Sequence, residues 1–545
     1  MTAIIQNRYV FLKVDNMGCI VSLINKTNGT ELIRYKNVAE TFRLVFHTGR
    51  YILDLVNGSK QKPPKISTIR ELGGQRIELL YDRVKGNQVY TINVIFILAL
   101  DEDSPELKAS VELENNNNIE LQEVEFPVIN GLKDFSAGTK GETDFVAAND
   151  RGFFYPNFFY EGFSELALES DQFSRREDTM MFLHDNWNGV WCDLYNSRQG
   201  IYFGYHSKKE DIFSFKVVRF PKEFPKISVH VYPKGTPRWL GIAAVHVPRI
   251  KPGASWKSDI VRIVPHAGDW HSGADIYAAY RKESMDIPQS PDWFEKDFYG
   301  WSAVIGKIYT GEKFFDYKKG AEGMLKEMKA TGIKMLYYYG HTKLGAEGAD
   351  FNNMPTSGLG GVSGFRKMVG KLHREGCKII LLDHFHRWVN KEVPEYKKYS
   401  LKKYEVLNEK GLPVEDCWGK ETVLSLKYFK GPSSIWREMC PAEEGFRELY
   451  YKNVENLAKL GIDALEPDLY MPSLRCFNPQ HSHPAGALLK EYKLEFTRIA
   501  RERARKINPD FIFIGESLYP ESAMVLDSFF SRYVEERENI FRYMF

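Results

Sequence analysis

The sequence predicts two folds in one chain, a large β-sandwich (a supersandwich) followed by a TIM-type (β/α) barrel. Up to about residue 265, short apolar-polar alternations such as 77–82 and 90–98 are separated by turn residues, which is typical of antiparallel sheets. After about residue 293, short apolar strands alternate with amphipathic helices, the pattern of a parallel barrel. We therefore expect a sandwich over 1–270, a linker over 271–292 and a catalytic barrel over 293–545. At 545 residues the chain is also too long for one core.

The barrel half can be followed element by element along the chain. The expected elements are a strand at 298–304, a helix at about 318–331, a strand at 334–339, a helix at about 363–375, a strand at 378–385, a helix at about 443–460, a strand ending at Asp468, a helix at about 485–506 and a strand ending at Glu516. A sixth strand is expected at 540–545. This count predicts a barrel that is incomplete at its C-terminus, as in a fragment.

Composition excludes several classes of partner. The formal net charge is +2, from 74 basic and 72 acidic residues, so neither a nucleic acid nor a membrane is an expected partner. Aromatic residues make up 14% of the chain, which suits both β cores and clefts that stack on sugar rings. The expected ligand is therefore neutral or weakly charged, as an oligosaccharide or glycoside substrate would be, although composition cannot separate the two uses of the aromatic residues.

The cysteines and the N-terminus indicate the compartment. Six cysteines are scattered without a repeated spacing, so the sequence predicts neither a disulfide framework nor a zinc site, and no cofactor. Cys440 and Cys476 are expected to be buried, inert thiols. The first residues lack the pattern of a secretion signal, and no apolar stretch approaches the roughly 20 residues that span a bilayer. We expect a cytoplasmic protein.

Two carboxylates lie at the carboxyl ends of predicted strands, where barrel enzymes have their catalytic residues. Asp468 and Glu516 each follow a short apolar strand that is preceded by a helix. Because active sites of these barrels lie at the carboxyl ends of the strands, both side chains are expected to face one pocket. A pair of carboxyl groups is the minimum equipment for cleaving a glycosidic bond, so the sequence predicts a glycoside hydrolase with these two catalytic residues. The spacing cannot choose between retention and inversion.

The segment 463–468, Asp-Ala-Leu-Glu-Pro-Asp, resembles the fourth-strand nucleophile motif Asp-x-x-Lys-x-Asp of the α-galactosidase clan, with Glu466 in place of the lysine. The segments 375–384 and 513–516 resemble the third and fifth strands of the α-amylase barrel. These resemblances imply an α-linked substrate and Asp468 as nucleophile. In the α-galactosidase clan the acid comes from the sixth strand, so Glu516 is left open between acid/base and substrate contact.

The segments 189–206, 439–446 and 476–486 resemble a bacterial family of glycoside hydrolase-like proteins known as a domain of unknown function. That resemblance covers most of the chain. It implies an N-terminal sandwich and a C-terminal barrel, and it carries little about the substrate.

Several polar and aromatic residues near the strand ends are candidates for substrate contacts. Histidine can bind sugar hydroxyls or a metal, and no four-ligand set follows from the spacings of the histidines here, so sugar contact is preferred and no metal ligand is assigned. The expected substrate-binding residues are Trp301, Asp383, His384, His386, Glu466, Tyr470, His481 and His483.

Two other functions stay open at this point. A carbohydrate-binding protein that has lost its chemistry would explain the glutamate at 466 and the missing strands. A polysaccharide lyase or isomerase would instead need a cluster of Tyr and His residues lining a cleft within 150–210. A homo-oligomer is a further expectation, because an incomplete barrel leaves strand edges that another subunit could cover.

Overall fold

The computed structural model describes residues 2–47, 53–135, 142–149, 153–158, 178–181, 187–207, 212–220, 239–297, 300–416, 436–468, 470, 473, 475–516 and 520–529. These residues fall into two compact units, one running to Ser284 and the other beginning at Met285. None of the described helices is long and apolar enough to cross a membrane.

The first unit consists of antiparallel sheets. In the described part of the chain, one sheet contains β1 (Ala3–Gln6), β2 (Val10–Val14), β3 (Ile20–Asn25) and β4 (Thr30–Glu31). A second contains β7 (Lys65–Glu71), β8 (Gly74–Lys85), β9 (Val89–Asp101), β10 (Leu107–Asn115), β12 (Asp144–Asn149), β13 (Phe153–Tyr155), β15 (Trp187–Tyr195), β16 (Gln199–His206), β19 (Ser255–Lys257) and β20 (Ile260–Ala267). A third contains β5 (Arg43–Phe46), β6 (Asp54–Asn57), β11 (Leu121–Leu132), β14 (Asp178–Met181), β17 (Phe213–Phe220) and β18 (Trp239–His246).

One hydrophobic core joins all three sheets of this unit. Leu12, Phe96 and Leu44 come from the first, second and third sheets respectively, and each is completely buried. The strand β9 alternates exposed or half-buried positions with buried ones along its length, as expected of a sheet with one face in a core. The prediction of a β-rich N-terminal half is therefore confirmed.

A helix occupies most of the segment that the sequence analysis assigns to a linker. The helix α1 (Trp270–Ser284) packs against the second sheet through Tyr277, which is buried and accepts a hydrogen bond from the backbone N–H of Val190 at 3.2 Å. The first part of the segment 271–292 is therefore a helix that packs against the second sheet. The domain limits themselves stay a prediction.

The second unit is built on a parallel sheet. Its described strands follow one another in chain order across the sheet: β21 (Trp301–Ile305), β22 (Met335–Tyr339), β23 (Lys378–Asp383), β27 (Ala464–Pro467), β30 (Ile512–Gly515) and β31 (Ser528–Phe529). The helices are α2 (Asp292–Asp297), α3 (Tyr317–Thr331), α4 (Gly361–Arg374), α5 (Pro394–Lys398), α6 (Glu444–Lys459) and α7 (Lys490–Arg505). Short strands lie in the connecting segments: β24 (Trp388–Asn390), β25 (Glu415–Asp416), β26 (Trp436–Glu438), β28 (Arg475–Cys476) and β29 (Ala487–Leu488).

The two faces of the parallel sheet pack against different partners. Leu381, Leu465 and Phe513 belong to the larger core, which they share with buried residues of α3, α4, α6 and α7. Leu382 and Ile514, which alternate with them, belong to a separate core on the opposite face. Helices therefore cover one face of the parallel sheet, and the residues that alternate with the larger core point to the other face.

The strand-helix alternation matches the sequence prediction up to Glu516, but a closed barrel is not seen among the described residues. The sixth described strand is Ser528–Phe529, which pairs in parallel with β30, and not the expected segment 540–545. That segment lies outside the described residues.

Candidate active site

Strand register brings the two predicted catalytic residues side by side. The strands β27 and β30 are parallel neighbours, with Leu465 paired to Phe513. Continuing this register by three residues on each strand leads to Asp468 and Glu516. Both positions lie just past the carboxyl end of a strand, because β27 ends at Pro467 and β30 at Gly515.

Three carboxyl groups meet at this point. Glu466, Asp468 and Glu516 each offer one oxygen, and these oxygens lie within 4.8 Å of one another. Glu466 is completely buried, Asp468 is 5% exposed and Glu516 is half-buried. The Tyr337 hydroxyl, on the inner face of β22, donates a hydrogen bond to Glu466. The three carboxyl groups therefore form one cluster at the ends of β27 and β30.

His384 carries a positive charge beside Asp468. Its Nε2 lies 3.2 Å from an oxygen of Asp468 and 3.1 Å from an oxygen of Glu347. Burial alone would lower the pKa of His384, but the hydrogen bonds and charges of Asp468 and Glu347 outweigh burial and raise that pKa to about 10. The imidazolium therefore persists at neutral pH and favours the ionised form of Asp468.

This charge network predicts a specific pH dependence of stability. The pKa of His384 is raised from an ordinary value of 6.5 to about 10 in the folded protein. Its stabilising effect is therefore complete below about pH 6.5 and is lost as the pH rises through about 10. We expect His384→Gln to lower the free energy of unfolding clearly at about pH 6.5 and much less above about pH 10. Urea unfolding of both proteins across this range measures the difference, and a pH-independent difference would contradict the assignment.

Asp383 does not reach this cluster, contrary to its predicted role in substrate binding. Successive strand residues point to opposite faces, so Asp383 faces the helices while Leu382 faces inward. Its oxygens accept hydrogen bonds from the Tyr450 hydroxyl at 2.6 Å, the backbone N–H of Phe385 at 2.9 Å and the side chain of Asn353. Asp383 is completely buried, and burial raises its pKa. Through these contacts Asp383 connects the end of β23 to α6 and to the segment that contains Asn353.

His386 and Tyr470 also lie on the helix side of the sheet. The His386 ring is 2% exposed and stacks with Tyr470 at 6.3 Å between ring centroids. The Tyr470 hydroxyl donates to Thr497 of α7 at 2.9 Å, and Nζ of Lys493 donates to the His386 carbonyl at 3.0 Å. Both predicted substrate contacts are thus occupied by packing against α7.

The buried hydrogen bond of Asp383 gives a stability prediction with a matched control. Tyr450→Phe removes the hydroxyl that donates to Asp383 and should lower the free energy of unfolding by about 1–3 kcal/mol. The next residue, Tyr451, has a buried hydroxyl without a hydrogen-bond partner in the described residues, so Tyr451→Phe should cost little. Urea denaturation of the two variants checks the contrast. Equal losses in both would show that the Asp383 contact is unimportant.

Trp301 begins β21 and lies on the inner side of the sheet. Its ring meets that of Tyr337 edge-on, with 6.3 Å between ring centroids and 89° between planes. Since Tyr337 in turn contacts Glu466, Trp301 lies two contacts from the carboxyl cluster. Its role as a sugar-stacking platform stays a prediction.

His481 and His483 gather with two cysteines. One atom from each of Cys440, Cys476, His481 and His483 lies within 4.8 Å of the others, and all four residues are buried. No spacing motif marks this set, because its members come from two connecting segments and Cys440 and Cys476 lie 36 residues apart. The described side-chain contacts of both histidines include these cysteines, and their sugar contacts stay a prediction.

Glu347 is the site residue that the sequence reasoning missed. It lies in the segment between β22 and α4, with a left-handed backbone at φ 59°. No motif marks it, and its only signal is its position after the carboxyl end of a strand. Asn353, in the same segment, was missed for the same reason and binds Asp383.

The lyase or isomerase alternative requires a cluster of Tyr and His residues within 150–210 that lines a cleft. In the described part of 150–210, Tyr202 is completely buried and its hydroxyl lies 2.8 Å from Nε2 of His206. The His206 ring stacks on Tyr280 of α1 at 4.1 Å, and burial lowers its pKa to about 3. These two residues are therefore interior packing beneath α1 and do not line an open cleft.

Comparisons with known proteins place this geometry in context. Residues 256–542 match the family described as Domain of unknown function (DUF6259). No curated protein matches the sequence.

Solved structures share the fold over nearly the whole chain. The α-N-acetylgalactosaminidase NagBb from Bifidobacterium bifidum, in complex with Gal-NHAc-DNJ, is similar with a TM-score of 0.71 and 12% identity, covering 99% of this chain and 81% of that chain. Its quadruple mutant gives a TM-score of 0.70 and 11% identity, covering 99% and 84%. The GH36 α-galactosidase AgaB from Geobacillus stearothermophilus gives a TM-score of 0.48 and 10% identity, covering 92% and 62%. At these identities the similarity to NagBb shows a shared fold.

Proposed function

The chain belongs to the DUF6259 family, and we propose that it is a glycoside hydrolase that cleaves an α-linked glycosidic bond with carboxylates at the strand ends. The observation that carries this proposal is the meeting of Asp468 and Glu516, whose oxygens lie within 4.8 Å of each other beside the charged His384. A fold shared with a glycoside hydrolase supports the same class of reaction.

The proposal includes an architecture. Residues 293–545 form a TIM-type (β/α) barrel that carries the site, and residues 1–270 form a large β-sandwich. The parallel order of β21, β22, β23, β27, β30 and β31 supports the barrel, and the core shared by the three antiparallel sheets supports the sandwich.

Asp468 acts as the nucleophile in this scheme. Its pairing with the imidazolium of His384 favours the carboxylate, which is the form that can attack a sugar carbon. Glu347 shares the same Nε2 proton and holds the imidazole in place. Attack by an Asp468 oxygen on C1 forms the glycosyl-enzyme bond while the bond from C1 to the leaving oxygen breaks.

Glu516 acts as the acid and then as the base. Its neighbours in the carboxyl cluster disfavour its ionised form, so it can hold the proton that the leaving oxygen requires. In the second step the Glu516 carboxylate takes a proton from water as that water attacks C1, and Asp468 leaves as a carboxylate. This two-step course is that of a retaining enzyme, in which the two carboxyl groups lie about 5–5.5 Å apart, and oxygens within 4.8 Å of each other are compatible with it.

The substrate class we propose is a terminal α-galactoside or α-N-acetylgalactosaminide. The name of the similar enzyme NagBb states α-N-acetylgalactosaminidase activity, and the motif at 463–468 resembles that of the α-galactosidase clan. Glu466, which replaces the lysine of that motif, has its carboxylate held by Tyr337 and is the proposed acceptor for a sugar hydroxyl.

A panel of 4-nitrophenyl glycosides tests this function. We expect release of nitrophenol from the α-galactoside or the N-acetyl-α-galactosaminide and none from the corresponding β-anomers. Calorimetry with galactose and N-acetylgalactosamine is run in parallel. Sugar binding without turnover of any glycoside would instead support the alternative of a carbohydrate-binding protein.

A further inference from the structure

A compact group of two cysteines and two histidines lies away from the carboxyl cluster. Cys440 follows β26, Cys476 ends β28, and His481 and His483 lie in the turn between β28 and β29. Cys440 and Cys476 are completely buried, and the two histidines are 8% and 5% exposed. Nothing in the proposed hydrolysis uses these side chains.

The distances within this group have the size of a tetrahedral metal site. His481 Nδ1 and His483 Nε2 are 3.2 Å apart, Cys440 Sγ lies 3.3 Å from His483 Nε2, and Cys476 Sγ lies 3.4 Å from His481 Nδ1. Tetrahedral zinc, with Zn–N of about 2.0–2.1 Å and Zn–S of about 2.3 Å, requires N···N edges of about 3.3 Å and S···N edges of about 3.5 Å. The three observed edges agree with these values within about 0.2 Å.

The outer nitrogens of the imidazoles are held by backbone carbonyls. His483 Nδ1 lies 2.9 Å from the carbonyl of Pro484, which can only accept, so Nε2 presents a lone pair to the group. His481 Nε2 lies 3.1 Å from the carbonyl of Lys403 and 3.0 Å from the amide nitrogen of Asn478. The outer nitrogens of both rings are thus engaged outside the group, and Nδ1 of His481 and Nε2 of His483 face each other at 3.2 Å. A cation between two such nitrogens would be bound by both.

We propose that Cys440, Cys476, His481 and His483 bind one Zn²⁺ ion. Two thiolates and two imidazoles in tetrahedral arrangement are the donor set that zinc prefers, and four protein ligands leave no position open for substrate or water. The ion is therefore structural. This site replaces the sugar contacts that the sequence predicted for His481 and His483, and it does not depend on the proposed hydrolysis.

The ion would join two segments that lead away from the active-site strands. Cys440 belongs to the segment between β23 and α6, which begins with His384, and the other three ligands belong to the segment between β27 and α7, which begins with Asp468. The same two segments are joined by the backbone N–H of Ser473, which donates to Glu438 at 2.6 Å. The zinc ion is thus a cross-link between the loops that carry two members of the site.

Metal content of purified protein tests the proposal. Full-length protein reconstituted with Zn²⁺ alone and freed of excess ion should retain about one equivalent by mass spectrometry of metals. Cys440→Ser and His483→Ala should lose most of it. Cys377→Ser is the matched control, because Cys377 is a buried thiol of the same unit whose sulfur lies 3.7 Å from the Glu375 carbonyl, and it should retain the ion.

Cobalt replacement of the wild-type protein tests the same claim without depending on the folding of any variant. Co²⁺ should give the intense visible bands of tetrahedral coordination and a near-ultraviolet thiolate-to-cobalt transition. Wild-type protein that retains no Zn²⁺ after reduction and reconstitution, and binds Co²⁺ without a thiolate transition, would overturn the proposal. The proposal would also be overturned if the purified protein contained a Cys440–Cys476 disulfide and took up no metal once that disulfide was reduced. It would likewise be overturned if Cys377→Ser lost as much metal as Cys440→Ser.

Discussion

Replacing Asp468 by asparagine should reduce kcat for any glycoside substrate by more than about 10⁴-fold, the scale on which loss of a catalytic nucleophile acts in hydrolases. The amide cannot attack C1, and the substitution also removes one of the two negative partners of His384. The rate of nitrophenol release from the aryl glycoside that the wild-type protein cleaves best measures the loss. Circular dichroism and urea unfolding confirm that the variant is folded.

A matched control for this variant is Asp292→Asn. Asp292 belongs to the same unit, is largely exposed and pairs only with Lys296 one turn away on α2 among the described residues, so its replacement should leave kcat unchanged. Retention of wild-type turnover by Asp468→Asn would remove the nucleophile from the scheme. Loss of activity in both variants would show that the assay reports stability and not chemistry.

Replacing Glu516 by glutamine has the second largest expected effect, and that effect depends on the leaving group. General acid catalysis contributes about 10²–10⁴-fold, so substrates with a poor leaving group such as a sugar should lose activity on this scale. Aryl glycosides whose leaving group departs without a proton should lose much less in the first step and accumulate the glycosyl-enzyme. Comparing kcat/KM across leaving groups of different pKa measures this contrast.

A loss that is equal for all leaving groups would contradict the acid role. Glu516 would then be a substrate contact, the alternative that the resemblance to the α-galactosidase clan left open. The acid would in that case lie elsewhere in the chain, and Asp468 would keep its assignment.

The strand pattern explains why the proximity of Asp468 and Glu516 was predictable from sequence. Short apolar strands after amphipathic helices determine where each strand ends, and the ends of neighbouring parallel strands lie together. Asp468 and Glu516 were chosen on that ground alone, and their oxygens lie within 4.8 Å. Helix positions predicted on the same ground differ from the observed ones by at most one residue at Tyr317–Thr331 and Glu444–Lys459.

The direction of a side chain at a strand end was harder to predict. His384 and Asp383 are neighbours in one motif, yet alternation sends Asp383 to the helices and His384 towards Asp468. Sequence alone did not reveal which of the two points away from the helices. The face to which each residue of β23 points depends on the register in which β23 pairs with β22 and β27.

Contacts between connecting segments were not predictable at all. Glu347 reaches His384 from 37 residues away, and Cys440 reaches His483 from 43 residues away. Neither pairing has a spacing motif, because the folded sheet and not the sequence brings these loops together. The cysteines therefore appeared scattered, and the expectation of inert thiols followed from that appearance.

Trapping the covalent intermediate tests the central claim most directly. The protein is incubated with 5-fluoro-α-D-galactopyranosyl fluoride or its 2-acetamido analogue, digested and examined by peptide mass spectrometry. We predict one added fluorosugar per chain, attached to Asp468. A label on another carboxylate, or inverted product with no adduct in protein that turns over the matching aryl glycoside, would contradict the account.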